Sequence, residues 1–189
     1  MANLSVEELA PDFDEQVAVE SAKQGDREAL TALYEFYFPR VFRYTVARLG
    51  NNEDAEDVTN EIFLKIIDNI GSFSFRGLPF GAWVFRIARN EIVSFVRRQK
   101  HRSGTVQLNE TIEDDTPDFT GNIEMEATLT VVREAAERLP DAQRQVIALR
   151  FGAGLSVKET ATVLGKSENN VKVLQHKAVS RLQKMVKDE

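Results

Sequence analysis

The residues in this sequence with the means to do chemistry are cations, amides and aromatics, and they fall into two islands. From Arg76 to Arg102 seven Lys or Arg residues stand against one acid, Glu91, a local charge of +6. From Lys166 to Lys187 six stand against one acid, Glu168, a local charge of +5. The whole chain carries −6, and its acids gather in residues 7–20, 53–68 and 110–126. Phosphate binding depends on local rather than net charge, so two basic islands in an acidic chain point to two separate nucleic-acid contacts. Two solvated helix faces are the competing reading.

Reactive constellations are missing. There is no nucleophile beside a base, no P-loop and no metal-ligand cluster, and Gly152-Ala153-Gly154 opens no phosphate-binding loop. The chain has no cysteine, which removes disulfides, thiol chemistry and zinc knuckles together. Two histidines in such a chain make a poor metal site. No enzymatic activity and no cofactor are expected. The acidic start, MANLSVEELAPDFDEQ, does not resemble a signal peptide, and no apolar run approaches the roughly 20 residues that span a bilayer. A soluble, cytoplasmic protein is expected.

Helical elements must position these islands. Apolar residues recur at helical spacing and strand-like alternation is absent, so the fold class is all-α. Ala29, Leu33, Phe36 and Phe42 begin one helix, stopped near Gly50-Asn51-Asn52. Ala55, Val58, Ile62, Ile66 and Ile70 begin a second, stopped by Gly71, and after a loop a third helix runs to about Arg98. Residues 103–128 hold Gly104, Pro117, Gly121 and many acids and threonines, the composition of a flexible acidic linker. Helical periodicity then resumes, with breaks at Pro140, Gly152-Gly154 and Gly165. The expected organisation is an acidic extension (1–22), a helical domain (23–102), a linker (103–128) and a smaller helical domain (129–189).

The C-terminal island lies on LSVKETATVLGKSENNVKVLQHKAVSRL, residues 155–182. Ser156 with Glu159 makes a capping box opening a short helix, Gly165 supplies the turn, and Ser167 caps a longer basic helix. Val171, Leu174, Ala178 and Leu182 face inward by their spacing. This is a helix-turn-helix, whose second helix enters the major groove by its N-terminal half. Asn169, Lys172, Val173, His176 and Lys177 are the candidate duplex-reading residues. An αα-hairpin with a basic surface is the bland alternative.

The N-terminal island suggests a different task. Phe73, Phe75 and Arg76 lie on a loop shaped by Gly77, Pro79 and Gly81, with Phe80 as its candidate core anchor. On the following helix Arg86, Asn90, Val93 and Arg97 share one face, opposite Val84, Ala88, Ile92 and Phe95. An unpaired base needs a stacking surface and a partner for its Watson–Crick edge. Asn90 offers a donor and an acceptor, while Arg86 and Arg97 suit phosphates. Trp83 is either core or part of this surface. One helix earlier, which Asp54 helps to open, Asp57, Glu61, Leu64, Lys65 and Asp68 fall on one face and mix charge with an exposed leucine, a surface suited to a basic helical partner.

These motifs together resemble the bacterial RNA polymerase sigma factors. LSVKETATVLGKSENNVKVLQHKAVSRL, after Leu139-Pro140 and QRQVIALRF, is similar to the region that reads the minus-thirty-five promoter element. Lys172 matches the basic residue after the family's Thr-Val pair, with Asn170 standing in place of the threonine. DAEDVTNEIFLKI resembles the segment that grips the clamp helices of the polymerase largest subunit, which assigns Asp54, Asp57, Glu61, Leu64 and Lys65 to that contact. FSFRGLPFGAWVFRIARNEIVSFVRRQKHR resembles the minus-ten-reading and melting region, with Asn90 in the asparagine slot of the W…RIA.N pattern that Trp83 opens. The resemblance covers residues 23–102 and 129–186 and, with no large middle domain, matches the small extracytoplasmic-function group. It implies core polymerase and promoter DNA as partners, and an anti-sigma factor. It also implies that the acids of Glu110–Asp118 mimic nucleic acid in the polymerase channel, a solvated spacer being the other reading. A rival from another class is a self-standing helix-turn-helix regulator with a helical sensor or dimerisation domain.

Overall fold

The computed structural model describes residues 13–75, 77–103 and 134–187, and no strand occurs among them. Several helix starts are set by a short polar residue that caps unpaired amides. The Asp14 carboxylate accepts from the Val17 amide at 3.1 Å and opens α1 (Glu15–Lys23). Asp26 accepts from the Glu28 and Ala29 amides and opens α2 (Arg27–Leu49). That helix ends at Gly50, whose φ of 75° is left-handed and costs glycine nothing; its amide donates to the Val46 carbonyl at 2.8 Å. Asn51 then caps α3 (Asn52–Asn69), which passes into a 3₁₀ turn over Ile70–Ser72. After the loop comes α4 (Phe80–Ser103).

In the C-terminal half a helical turn at 134–137 precedes α5 (Asp141–Ile147). A π turn, Ala148–Gly152, extends α5. The expected capping box is present: the Glu159 amide donates to Ser156 Oγ at 3.1 Å and the Ser156 amide to Glu159 Oε2 at 2.7 Å. It opens α6 (Val157–Leu164), which stops at the left-handed Gly165. Ser167 Oγ accepts from the Asn170 amide at 3.2 Å at the start of α7 (Glu168–Lys187).

Two expectations about boundaries change. Residues 15–22 are not part of an extension, because α1 places Val19 and Ala22 in the core and Tyr37 Oη donates to Glu15. The second change concerns the two domains. They are packed against one another through a single continuous core, in which Ala148, Leu149, Ala153, Leu155 and Val163 join Val19, Val41, Tyr44, Phe85 and Ile92. Leu149 and Leu155 are 0% exposed, and burying each such side chain contributes roughly 1.5–3 kcal/mol. Among the described residues a small separate cluster around Val146, Ala161 and Val171 lies within the helix-turn-helix half, and Arg150 Nε donates to Gln175 Oε1 there at 3.0 Å. The linker assignment lies outside the described residues.

Candidate nucleic-acid interface

The helix α7 separates its two faces cleanly. Val171 and Ala178 are fully buried and Leu174 packs against the small cluster. At about 100° per residue, Asn169, Lys172, Val173, His176 and Lys177 occupy an arc centred opposite those core positions. All five are exposed, Val173 by 51%. Among the described residues neither Lys172 nor Lys177 has an ion-pair partner, so both ammonium groups are available to an anion. Capping by Ser167 leaves this arc on the first three turns of the helix, the part a major groove admits.

The α4 surface is built by the same division. Val84, Ala88 and Ile92 are buried and Phe95 packs on the core, while Arg86, Asn90, Val93 and Arg97 are exposed. Arg86 is exposed but engaged: its Nε and Nη2 donate to the Thr162 carbonyl of α6 at 3.2 and 2.9 Å. Asn90 and Arg97 keep their polar groups toward solvent.

The aromatic loop differs from expectation. Phe73 is only 4% exposed, and its ring meets Phe75, Phe80 and Trp83 at 4.9, 5.1 and 5.2 Å. It is therefore a core anchor and offers no stacking face, because burying that ring removes more apolar area from water than the loop could recover by displaying it. Phe80 is the fully buried anchor the sequence suggested. Phe75 and Trp83 are half-buried and packed on the core, so each retains part of a ring surface. Arg76 lies outside the described residues.

On α3 the mixed face is present, with Asp57, Glu61, Leu64 and Lys65 exposed and Leu64 at 63%. Asp54 is half-buried, and its pKa is raised by that burial, with Glu53 and Asp57 adding to the effect. Two ion pairs tie this face to α4: Lys65 Nζ to Glu91 at 2.7 Å, and Arg98 to Glu61 at 3.4 Å. The candidate protein-binding and DNA-binding surfaces thus share a rigid support.

Sequence reasoning missed a further group. Arg40 and Arg43 of α2 donate to the Ala153 and Gly152 carbonyls at 3.0 and 3.1 Å, and Arg48 pairs with Asp141 at 2.7 Å. Arg89 reaches the Gln145 amide oxygen at 3.3 Å. Burial would raise the Asp141 pKa, but the hydrogen bond and charge of Arg48, with Gln145 and Arg144, outweigh it and the pKa is lowered. Tyr44, enclosed beside this cluster, is pushed up to about 12 by burial, so its phenol stays neutral. The only available signal was a set of arginines at helical spacing on α2.

Comparison with known proteins matches both halves of the chain to family models. The Sigma-70 region 2 family model matches residues 33–102, and the Sigma-70, region 4 model matches residues 135–184. The ECF RNA polymerase sigma factor BldN of Streptomyces coelicolor is 36% identical over 176 residues, 90% of this chain; the match spans 65% of BldN, just under two thirds of its length. SigD of Mycobacterium tuberculosis, also an ECF RNA polymerase sigma factor, is 35% identical over 170 residues, 87% of this chain and 80% of SigD. Among solved structures, CnrH in complex with the cytosolic domain of CnrY has a TM-score of 0.70 at 21% identity, covering 93% of this chain and 98% of that one. RpoE of Bartonella quintana with the anti-sigma factor NepR has a TM-score of 0.69 at 24% identity, covering 83% and 96%. These two likenesses establish the fold. Both regions, in order, with relatives at this identity, favour one family over a free-standing regulator: the chain belongs to the ECF RNA polymerase sigma factors, which act in transcription initiation.

Proposed function

We propose that this chain binds core RNA polymerase through the Leu64 face of α3, reads the minus-thirty-five element with α7 and assists strand opening at the minus-ten element with α4. The observation that carries the reading is the exposure of both polar arcs, Asn169 to Lys177 and Asn90 to Arg97, on helices whose opposite faces are buried. Asn90 serves an unpaired base by its amide, Arg97 a phosphate, and Phe75 or Trp83 the stacking surface that buried Phe73 cannot supply. Such a factor works where polymerase and DNA are, in the cytoplasm; no described helix is long and apolar enough to cross a membrane.

An anti-sigma factor completes the reading, the kind of protein with which RpoE of Bartonella quintana was solved. A cleft of about 460 Å³ between α2 and the π turn, lined by Phe42, Val46, Ile147 and Phe151, offers apolar surface for it, with Phe151 61% exposed. The deciding experiment is reconstitution with core polymerase, run-off transcription from genomic fragments, and permanganate footprinting of melted thymines. Promoter-specific transcripts with melted DNA are expected. A reconstituted complex that melts no DNA would overturn the reading.

A further inference from the structure

Four of the five residues on the exposed arc of α7 carry a polar or charged group: an amide on Asn169, ammonium groups on Lys172 and Lys177, an imidazole on His176. Val173 offers neither donor nor acceptor, yet it is 51% exposed. It is not part of the core stripe. At about 100° per residue it stands roughly 160° from Val171 and 140° from Ala178, both fully buried. A lone exposed valine means nothing by itself. Its place gives it meaning. Asn169 and Lys177, four residues before and after, flank it at about 40° on either side and about 6 Å along the axis. Ser167 Oγ accepts from the Asn170 amide at the start of α7, which puts Val173 in the second turn, within the part of the helix that a major groove admits.

The chemistry of that groove narrows what an isopropyl group can meet. Guanine, adenine and cytosine present hydrogen-bond donors and acceptors there, and covering such a group with hydrocarbon costs free energy. A phosphate is no better a partner, for the same reason. Thymine presents its C5-methyl group beside O4, a feature that an apolar side chain matches. The side chain is also preorganised. A valine in a helix is held in largely one χ1 rotamer, so docking its two methyl groups costs little side-chain entropy.

We propose that Val173 is a specificity-determining residue of α7, which selects a thymine in the duplex by packing its isopropyl group against the C5-methyl. Asn169 and the two lysines then serve the neighbouring base edges and phosphates. The inference rests on the groove-facing orientation proposed above for α7, and it adds the base feature that the helix selects.

The probe is a labelled duplex carrying the minus-thirty-five element of a promoter mapped by run-off, bound by reconstituted holoenzyme and read by anisotropy. Each thymine of the element, on either strand, is replaced in turn by deoxyuridine, which deletes the C5-methyl and leaves the hydrogen-bonding edge intact. One thymine is expected at which the replacement weakens wild-type binding about fourfold, the effect of one buried methyl group. Val173→Ala, an exposed site where alanine is the better helix former, should lose about fourfold on the thymine duplex and nothing further on the deoxyuridine duplex. Lys172→Ala should bind both duplexes less tightly and keep the fourfold difference between them, because the methyl contact is untouched. Wild-type binding that is indifferent to deoxyuridine at every thymine overturns the proposal, and so does a penalty that Val173→Ala retains in full. An equal loss by Val173→Ala on every duplex, with no deoxyuridine effect, places the valine on sugar instead of a base and also overturns it. If the Lys172→Ala/Lys177→Ala chain keeps wild-type affinity and salt slope, α7 does not face DNA, and the failure begins with that orientation.

Discussion

Removing the two free lysines of α7 should change the salt dependence of promoter binding by a calculable amount. Lys172 and Lys177 lie on the exposed arc with no ion-pair partner among the described residues, and both are on the half of the helix that a groove admits. Each ammonium that neutralises a phosphate releases condensed counterion, which contributes about 0.9 to the slope of log K against log salt. Over a fourfold rise in salt, from 50 to 200 mM, one such contact is worth about 3.5-fold in affinity and two about 12-fold. The Lys172→Ala/Lys177→Ala chain should therefore lose about 12-fold less affinity than the wild type over that range. The assay is anisotropy of a labelled promoter duplex titrated with reconstituted holoenzyme at four or five salt concentrations. Folding is not at issue, since both lysines are exposed and both are good helix positions for alanine. Equal slopes for variant and wild type would show that these ammonium groups meet no phosphate, and the orientation given to α7 would be wrong.

Other outcomes follow from the same geometry. Leu64 is 63% exposed, so burying the rest of it against polymerase is worth about 1–2 kcal/mol; Leu64→Arg should weaken core binding at least tenfold in a fluorescence titration while leaving the melting temperature unchanged. Asn90→Ala removes the amide proposed to serve an unpaired base and should reduce permanganate-reactive open complex about tenfold or more, with closed-complex binding retained. Ser156→Ala breaks the capping box and should cost about 1 kcal/mol in urea unfolding. Asp141, whose pKa is lowered in the folded chain chiefly through Arg48 acting against burial, stabilises the fold above its ordinary value of 3.8. That contribution is lost as pH falls through the lowered value, so stability in urea should fall with acid there, and Asp141→Asn should remove that part of the pH dependence.

Much of the fold was legible because its signals are local. Ser156 with Glu159, and Ser167 ahead of Val171, announce helix starts through hydrogen bonds made within three residues. The spacing of Ala55, Val58, Ile62, Ile66 and Ile70 predicts a buried stripe, and all five are buried. The α4 arc from Arg86 to Arg97 was legible for the same reason. The loop before it was not. A phenylalanine beside an arginine on a glycine-bearing loop reads equally as a stacking platform or as an anchor, and only the rings of Phe80 and Trp83 around Phe73 decide for the anchor. Nothing in periodicity separates these, because a short loop has none. Residues 15–22 were misread for a related reason: the single turn between α1 and α2, at Gly25, looks like a boundary, while the apolar pair Val19 and Ala22 is too short to register as a stripe.

The contact between the domains was invisible for a deeper reason. A salt bridge such as Arg48 to Asp141 leaves two charges in the sequence, and even so their separation of 93 residues hides the pairing. Arg40, Arg43 and Arg86 leave less still, since their acceptors are the main-chain carbonyls of Ala153, Gly152 and Thr162. Every residue has a carbonyl, so no side-chain pattern marks the one that will be used. What selects it is a place near the end of a helical segment, at the negative pole of the backbone dipole; the Thr162 carbonyl accepts from the Gly165 amide at 3.4 Å as well as from Arg86. A cation on one element and a helix terminus on another can therefore recognise each other with no complementary residue at all.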